Sequence, residues 1–208
     1  MFRISSSIAA FFFATACAAK PMPSVGPDDA AVVEMTERVY EMCGGELGPI
    51  AKANIVRDVV EVAEGFFDTH EDRLAFVLLA CIESRFDPGA QSKAGAVGLT
   101  QVMPRYAAEF SKRCYLPTKS IDLYVPRVNL MTGACQFRYL IGQFDGNYSL
   151  ALAGYNAGER SDTVKKLRKL QKLNQETADY LARFAYLRSL YHQQEQSRGS
   201  APSVGGPK

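Results

Sequence analysis

The sequence predicts a mostly α-helical protein that folds as a single domain. Its 208 residues are enough to bury a sizeable core, and 47% of them are hydrophobic while 22% are charged, which is ordinary for a globular domain. Apolar residues recur at three- and four-residue spacing along successive segments, which places them on one face of a helix. Glycine and proline separate these segments, as expected for the turns between helices.

Charge and histidine content exclude two classes of function. The formal net charge is +2, which is too small to argue for nucleic-acid binding, and no base-reading motif accompanies it. His70 and His192 are the only histidines and lie far apart, so a multi-histidine metal site is not available. We therefore expect no nucleic-acid partner, no metal and no cofactor.

The first 17 residues are predicted to be an export signal. Arg3 supplies a short basic start, and residues 8–14 form an apolar run far shorter than the ~20 residues that a membrane span requires. The mature protein is therefore expected outside the cytoplasm, in the periplasm.

Cys17 directly follows the small residues that a signal peptidase reads. This arrangement resembles a bacterial lipobox, in which Cys17 carries lipid and tethers the protein to the outer membrane. Ala14 departs from the lipobox, which usually has Leu at that position. Ordinary cleavage after Ala16 or Ala18 is therefore the alternative to lipidation.

Residues 18–28 are rich in proline and are predicted to be a linker ahead of a domain over residues 29–191. The first helix is predicted over residues 28–43, where two glycines stop it, and the second over residues 50–65. The predicted inward-facing residues of these two helices are Val32, Met35, Val39, Met42, Ile55, Val59, Val62 and Ala63.

A third helix is predicted after Thr69, which with Asp72 three residues later resembles a capping box. The helix ends with a single carboxylate, Glu83, and Pro88 closes the turn behind it. Its predicted buried stripe consists of Leu74, Val77, Leu78, Cys81 and Ile82.

Glu83 is the candidate catalytic residue. An apolar setting destabilises the charged carboxylate and raises its pKa, and the negative end of the helix acts in the same direction. A carboxyl group that stays protonated near neutral pH is what a general acid needs. The alternative is an ordinary glutamate at a helix end, solvated or paired with Arg85.

The stretch over residues 91–104 contains two glycines that permit positive φ or a close backbone approach. Gln101 and Met103 lie beside them, and a helix is predicted over residues 105–112, opened by the preceding proline. Taken alone, this stretch is a turn followed by a helix.

Tyr155 and Asn156 end a short predicted core helix ahead of Gly158. The ring offers a stacking face and the amide both a donor and an acceptor, which suits sugar recognition; the alternative is a core Tyr and a capping Asn. Glu176 opens a last helix whose apolar side includes Tyr180, and the helix dipole alone also explains an acid at this position.

Three further segments complete the chain. A long core helix is predicted over residues 123–143, and a basic helix over residues 164–173. The basic face is either simply solvated or attracted to anionic cell wall or lipid. Residues 192–208 are predicted to be a disordered tail.

Four cysteines remain once the signal is removed, and an even number in an exported protein predicts two disulfides. Three pairings are possible; we favour Cys43 with Cys81 and Cys114 with Cys135, because each would join neighbouring elements. Four free buried thiols are the alternative.

Taken in order, four motifs resemble the lytic transglycosylase domain of the soluble type (SLT), which is related to goose-type lysozymes. The resemblance runs from about residue 74 to residue 187. Thr100 departs from it, because the family commonly has Met there, and we interpret the change as altering a subsite wall. The matching residues are Glu83-Ser84 with Phe86 and Pro88, residues 98–104, residues 155–158, and Glu176-Thr177 with Tyr180.

The resemblance implies a lysozyme-like fold and cleavage of peptidoglycan glycan strands at the β-1,4 link from N-acetylmuramic acid to N-acetylglucosamine. It makes Glu83 the catalytic acid and base, and Glu176 a buried acid that supports the floor of the site. The implied substrate-binding positions are Ser92, Gln101, Met103, Tyr155, Asn156 and Tyr180.

No second acid accompanies Glu83 in a comparable motif, since Asp87 beside Pro88 is interpreted as a turn cap. Most glycosidases use two carboxylates, so we expect the substrate's own N-acetyl group to assist. Glu83 then takes the proton of the muramic acid 6-hydroxyl, which closes a 1,6-anhydro ring.

Other functions stay open at this stage. A lysozyme on the same fold would hydrolyse with water, and a wall-binding or assembly protein would keep the groove without turnover. An enzyme that works beside secretion or conjugation machinery is a further possibility. We expect a monomer.

Overall fold

A computed structural model describes residues 29–199 of the chain. This range contains eight helices and no strand, only two isolated β-bridges, so the prediction of a mostly α-helical domain is confirmed. The predicted signal, Cys17, the linker over residues 18–28 and residues 200–208 lie outside the described residues. The helices are α1 (Asp29–Met42), α2 (Pro49–Phe66), α3 (His70–Ser84), α4 (Pro104–Arg113), α5 (Pro126–Gln143), α6 (Tyr148–Ala157), α7 (Asp162–Arg168) and α8 (Gln175–Gly199).

Helix α3 forms the centre of the domain. Every residue of its stretch 74–82 is buried, and a helix that is apolar on all sides must be covered on all sides. It packs against α1, α2 and α8. As predicted, Thr69 caps its start, because the Thr69 hydroxyl oxygen accepts from the backbone N–H of Asp72 at 3.0 Å.

The surrounding helices bury the faces that their periodicity predicts. Val32, Met35 and Val39 in α1 are buried, and so is the whole inward set of α2. Helix α5 packs against α2, α4 and α6. No helix within residues 29–199 is long and apolar enough to cross a membrane.

Two disulfides tie this packing together, in the pairing that the sequence favours. Cys43 after α1 is bonded to Cys81 in α3, with the Cα atoms 5.9 Å apart. Cys114 after α4 is bonded to Cys135 in α5, with the Cα atoms 5.8 Å apart. The second bond fixes the start of the long connection between α4 and α5.

Two helix boundaries ahead of α8 differ from the prediction by three residues or more. Helix α5 begins at Pro126 rather than at residue 123, because proline suits the first helical position and forces the extended backbone seen at Val125. The basic helix α7 ends at Arg168 rather than at residue 173, and Leu170, within the predicted helix, has φ of 53° and is 92% exposed.

The predicted disordered tail is also wrong up to residue 199, because α8 continues through it. Residues 192–199 are polar in composition, but ion pairs to α1 hold this end of α8 in place. Arg38 pairs with Glu195, and Arg198 pairs with Glu34. Tyr191, buried at the start of this stretch, packs beneath the guanidinium of Arg38.

Candidate active site

Glu83 lies in the last turn of α3 and is only partly accessible. Burial raises the pKa of its carboxyl from 4.5 to about 7. The hydroxyl of Tyr180, in α8, donates a hydrogen bond of 2.6 Å to Glu83 Oε1 and limits this rise. The carboxyl group is therefore half protonated near neutral pH, which suits a group that must both give and accept a proton.

The chain turns sharply behind Glu83. Arg85 and Phe86 both adopt left-handed backbone, with φ of 54° and 63°, and such conformations in non-glycine residues cost of order 1–3 kcal/mol each. Phe86 is fully buried against Tyr40, with the ring centroids 5.4 Å apart. This packing holds the strained turn and leaves the end of α3 facing outward.

The groove loop, residues 90–103, lies beside the end of α3. Ser84 connects the two, because its hydroxyl donates to the carbonyl of Leu99 at 2.8 Å. Within the loop, Ser92 Oγ accepts from the backbone N–H of Ala96 at 3.0 Å. Gln101, with φ of 50°, donates from Nε2 to the carbonyls of Gly98 at 2.9 Å and Ala90 at 3.2 Å.

Asn129, in α5, fixes the groove loop from behind. Its Oδ1 accepts from both the backbone N–H and the hydroxyl of Thr100, at 2.9 and 2.7 Å. Its Nδ2 donates to the carbonyls of Val97 at 2.7 Å and Leu123 at 3.0 Å. Gly98 makes this approach possible, because a Cβ there would lie 2.3 Å from Asn129 Nδ2.

Tyr155 closes the same network from α6. Its hydroxyl donates to the carbonyl of Thr100 at 2.8 Å, and its ring meets Phe137 edge-on at 6.1 Å between centroids. Burial, together with the nearby negative charge of Glu83, raises the pKa of Tyr155 well above its usual range. It therefore stays a neutral hydrogen-bond donor, and the next residue, Asn156, is exposed.

An open cleft of about 330 Å³ brings part of the predicted site together. Glu83, Ser92 and Gln101 line it, and Glu83 is the only carboxylate among its described lining residues. Tyr180 contacts Glu83 directly, whereas Met103, Tyr155 and Asn156 are not among the lining residues. The remaining lining residues are Ile82, Ser84, Arg85, Ala90, Gln91 and Arg183.

Two interpretations of motif residues are wrong. Glu176 is exposed rather than buried, because the first turn of α8 directs the neighbouring Thr177 inward. The buried partner of Glu83 is therefore Tyr180. Thr100 does not form a subsite wall, because its side chain is fully buried and bonded to Asn129.

Two residues at the site were not predicted from the sequence. Arg183 lines the cleft, and its only signal is its place three residues after Tyr180 on the same helix. Asn129 is a fully buried polar residue in a predicted core helix. A polar residue in that apolar segment was the available signal, because a buried amide requires partners.

Asp87 caps a turn, as predicted. Its Oδ1 accepts from the backbone N–H of Gly89 at 2.8 Å, and the side chain is exposed.

The site as a whole therefore offers one carboxyl group, that of Glu83, for proton transfer, and it lies in an open cleft that can admit a polar ligand.

The domain resembles known proteins in both sequence and structure. Residues 68–179 match the family described as the transglycosylase SLT domain. The membrane-bound lytic murein transglycosylase D of Escherichia coli K12 is 32% identical over 108 residues, which are 51% of this chain and 23% of the relative. The soluble lytic murein transglycosylase of the same strain is 36% identical over 78 residues, 36% of this chain and 12% of the relative.

Two solved structures share the fold. An inactive mutant of the lytic transglycosylase Slt from Pseudomonas aeruginosa superposes with a TM-score of 0.55 at 28% identity, covering 70% of this chain and 24% of that one. The 70 kDa soluble lytic transglycosylase from Escherichia coli gives the same TM-score at 21% identity, covering 80% and 31%. The chain thus spans less than a third of the length of each relative and structure.

Proposed function

Because the chain belongs to the transglycosylase SLT domain family, we propose that it cleaves the glycan strands of peptidoglycan as a lytic transglycosylase. The bond broken is the β-1,4 link from N-acetylmuramic acid to N-acetylglucosamine, and the product carries a 1,6-anhydromuramic acid end. One observation carries the proposal: among the described residues that line the cleft, Glu83 is the single carboxylate, and its pKa is raised to about 7.

In the first step, Glu83 acts as the general acid. It donates its proton to the oxygen between the two sugars as the bond from that oxygen to the anomeric carbon of the muramic acid breaks. The hydroxyl of Tyr180 donates its hydrogen bond to Oε1 of Glu83, which leaves Oε2 of Glu83 to carry the proton. The departing N-acetylglucosamine keeps the bonding electron pair and leaves with a 4-hydroxyl group.

The positive charge that develops on the muramic acid ring needs a partner, and no second carboxylate lines the described cleft. The carbonyl oxygen of the substrate's own N-acetyl group stabilises this positive charge, as in substrate-assisted glycosidases. Stabilisation from within the substrate replaces the second carboxylate that most glycosidases place in the protein.

In the second step, the same residue acts as the base. The muramic acid 6-hydroxyl attacks the anomeric carbon and loses its proton to the Glu83 carboxylate, which regenerates the acid without consuming water. A hydroxyl on the reacting ring has a high effective molarity, so it competes well with water.

The other residues bind and position the strand. We assign Ser92 and Gln101, which line the cleft with Glu83, to the sugars nearest the cut. We assign Met103 and Asn156, which do not line the cleft, to sugars farther from the cut, and Tyr155 supports the groove loop through its bond to Thr100. Tyr180 positions Glu83, and no metal or cofactor takes part.

We place the enzyme in the periplasm as a monomer. The export signal directs it there, and lipid on Cys17 would hold it at the outer membrane, within reach of the wall. The alternative, cleavage after Ala16 or Ala18, gives a free periplasmic enzyme. Work beside secretion or conjugation machinery fits an enzyme that opens the wall locally.

Digestion of purified sacculi tests the reaction. Mass spectrometry should find products with 1,6-anhydromuramic acid ends, which are lighter by one water than reducing ends. Reducing ends would instead indicate a lysozyme, and intact sacculi with bound protein would indicate a wall-binding protein. The Glu83→Gln variant should bind sacculi but release no products; retained turnover would remove Glu83 from the mechanism.

A further inference from the structure

Within the described part of the chain, two arginines line the cleft beside its single acid. Arg85 and Arg183 both line it together with Glu83. Arg183 lies three residues after Tyr180 in α8, so the two side chains project from the same face of the helix. Arg183 is therefore placed about one helical turn from Tyr180, the residue whose hydroxyl bonds to Glu83.

Arg183 has no counter-charge in the described part of the chain. Its side chain is exposed, and no acid between residues 29 and 199 lies within ion-pair distance of it. Burial raises the pKa of Glu83 and the Tyr180 hydrogen bond lowers it, and neither arginine is among the causes of the shift. The guanidinium of Arg183 therefore faces the cleft without being neutralised by Glu83.

Arg85 is in a different situation. It also lines an adjoining cavity together with Glu46 and Asp87, so two acids share that cavity with it. Arg183 lines the cleft with Glu83 and is not among the residues that line the adjoining cavity.

We propose that Arg183 binds a carboxylate of the glycan strand and so makes the enzyme selective for carboxylate-bearing peptidoglycan. The proposal rests on the transglycosylase function proposed above. A guanidinium presents a planar fork of N–H donors that matches a carboxylate with two parallel hydrogen bonds. An exposed arginine in an active-site cleft gains such a partner only when an anionic ligand enters.

Peptidoglycan offers this chemistry from two sources. Stem peptides carry carboxylates along and at the end of the peptide. The lactyl group of muramic acid carries one only where the peptide has been removed, since it is otherwise an amide. Both are carboxylates attached to the sugar that is cut, and substrates can be prepared that present either, or neither.

Three substrates separate these sources. They are strands with intact stem peptides, strands stripped of peptide by an amidase, and stripped strands whose lactyl carboxyl is converted to the neutral methylamide. kcat/KM would be measured on each for the wild type, Arg183→Gln and Arg183→Lys. Arg57→Gln is the matched control, because it removes the same charge from an exposed residue of α2 outside the cleft.

The wild type should cleave a carboxylate-bearing strand about tenfold better than the methylamide strand, as expected for a charge-assisted hydrogen bond. Preference for intact strands alone identifies the stem peptide, and preference for stripped strands over the methylamide identifies the lactyl group. In Arg183→Gln, the ratio of kcat/KM on the carboxylate-bearing strand to kcat/KM on the methylamide strand should fall to near one, through a higher KM. Arg183→Lys should keep part of this preference, and Arg57→Gln should keep all of it.

Equal rates of the wild type on all three substrates would overturn the proposal. So would a preference that survives in Arg183→Gln. Failure of the underlying function is visible separately, because it would appear as reducing ends, or as no cleavage, on every substrate and in every variant.

Discussion

The hydroxyl of Tyr180 donates a hydrogen bond of 2.6 Å to Oε1 of Glu83, although 97 positions separate the two residues in the chain. Burial raises the pKa of Glu83 to about 7, and this bond opposes the rise because it stabilises the carboxylate. Tyr180 keeps its own proton, since burial and the charge of Glu83 raise its pKa. The hydrogen-bonded pair thus keeps the pKa of Glu83 near neutral pH, where the carboxyl group can donate a proton in the first step and accept one in the second.

Removal of the Tyr180 hydroxyl should therefore shift the pH dependence of the enzyme upward. In Tyr180→Phe, the carboxylate of Glu83 loses its donor, so the pKa of Glu83 should rise above about 7. The limb of the kcat/KM profile on which activity falls as Glu83 deprotonates should move to higher pH, with a lower maximum because positioning is lost. Tyr186→Phe, exposed on the same helix, should leave the profile unchanged. A limb that stays in place or moves to lower pH contradicts the assignment.

The raised pKa of Glu83 should also appear as a loss of stability. The pKa is 4.5 when unfolded and about 7 when folded, so the folded state binds more protons between these values and stability falls as pH rises through them. Glu83→Gln removes this dependence. Its free energy of unfolding should match the wild type near pH 4 and exceed it by about 1–3 kcal/mol at pH 8.

Denaturant unfolding at pH 4, 6 and 8 measures this difference. Glu176→Gln is the matched control, because it makes the same substitution at an exposed side chain that does not line the cleft. A Glu83→Gln difference that is constant, or that shrinks as pH rises, would show that Glu83 is not held in a desolvating site.

Local pattern was enough to predict the central part of this fold. The apolar spacing after Thr69 predicted a buried helix, and α3 is buried through residues 74–82. The same pattern placed Glu83 at the end of that helix, where burial acts on it. These inferences succeed because helix period, capping and burial are all set by residues close in sequence.

Contacts between distant segments were not predictable in the same way. Glu176 lies in a motif, but which of two adjacent residues faces inward depends on how α8 packs, and Thr177 is the buried one. Asn129 meets the groove loop 29 and 32 residues earlier in the chain. The extension of α8 depends on ion pairs with α1, which the polar composition of residues 192–199 does not reveal.

Gly98 should tolerate no side chain. Its φ is 75°, and a Cβ would lie 2.3 Å from Asn129 Nδ2 and 2.9 Å from the carbonyl oxygen of Leu123. Gly98→Ala should lower the free energy of unfolding by about 2–4 kcal/mol, through left-handed strain and displacement of Asn129. Gly95→Ala is the matched control, because Gly95 has φ of 88° but open space around it; it should lose only about 1–2 kcal/mol. Equal losses in thermal or denaturant unfolding would mean that the approach of Asn129 is not what requires glycine.

Asn129→Leu should disable the groove loop while keeping the branching and the number of heavy atoms of the side chain. The change removes four hydrogen bonds and takes away the partner of the buried Thr100 N–H and of the Leu123 carbonyl, so we expect a loss of about 3–5 kcal/mol of stability. The loop carries Gln101 and accepts the hydroxyl of Tyr155, so turnover of sacculi should fall at temperatures where the variant is still folded by circular dichroism. Thr36→Val, which removes a buried hydrogen bond within α1, should lose about 1 kcal/mol and retain turnover. Full turnover in folded Asn129→Leu would show that the cleft does not depend on this residue, and that α3 and Tyr180 suffice to hold Glu83 in place.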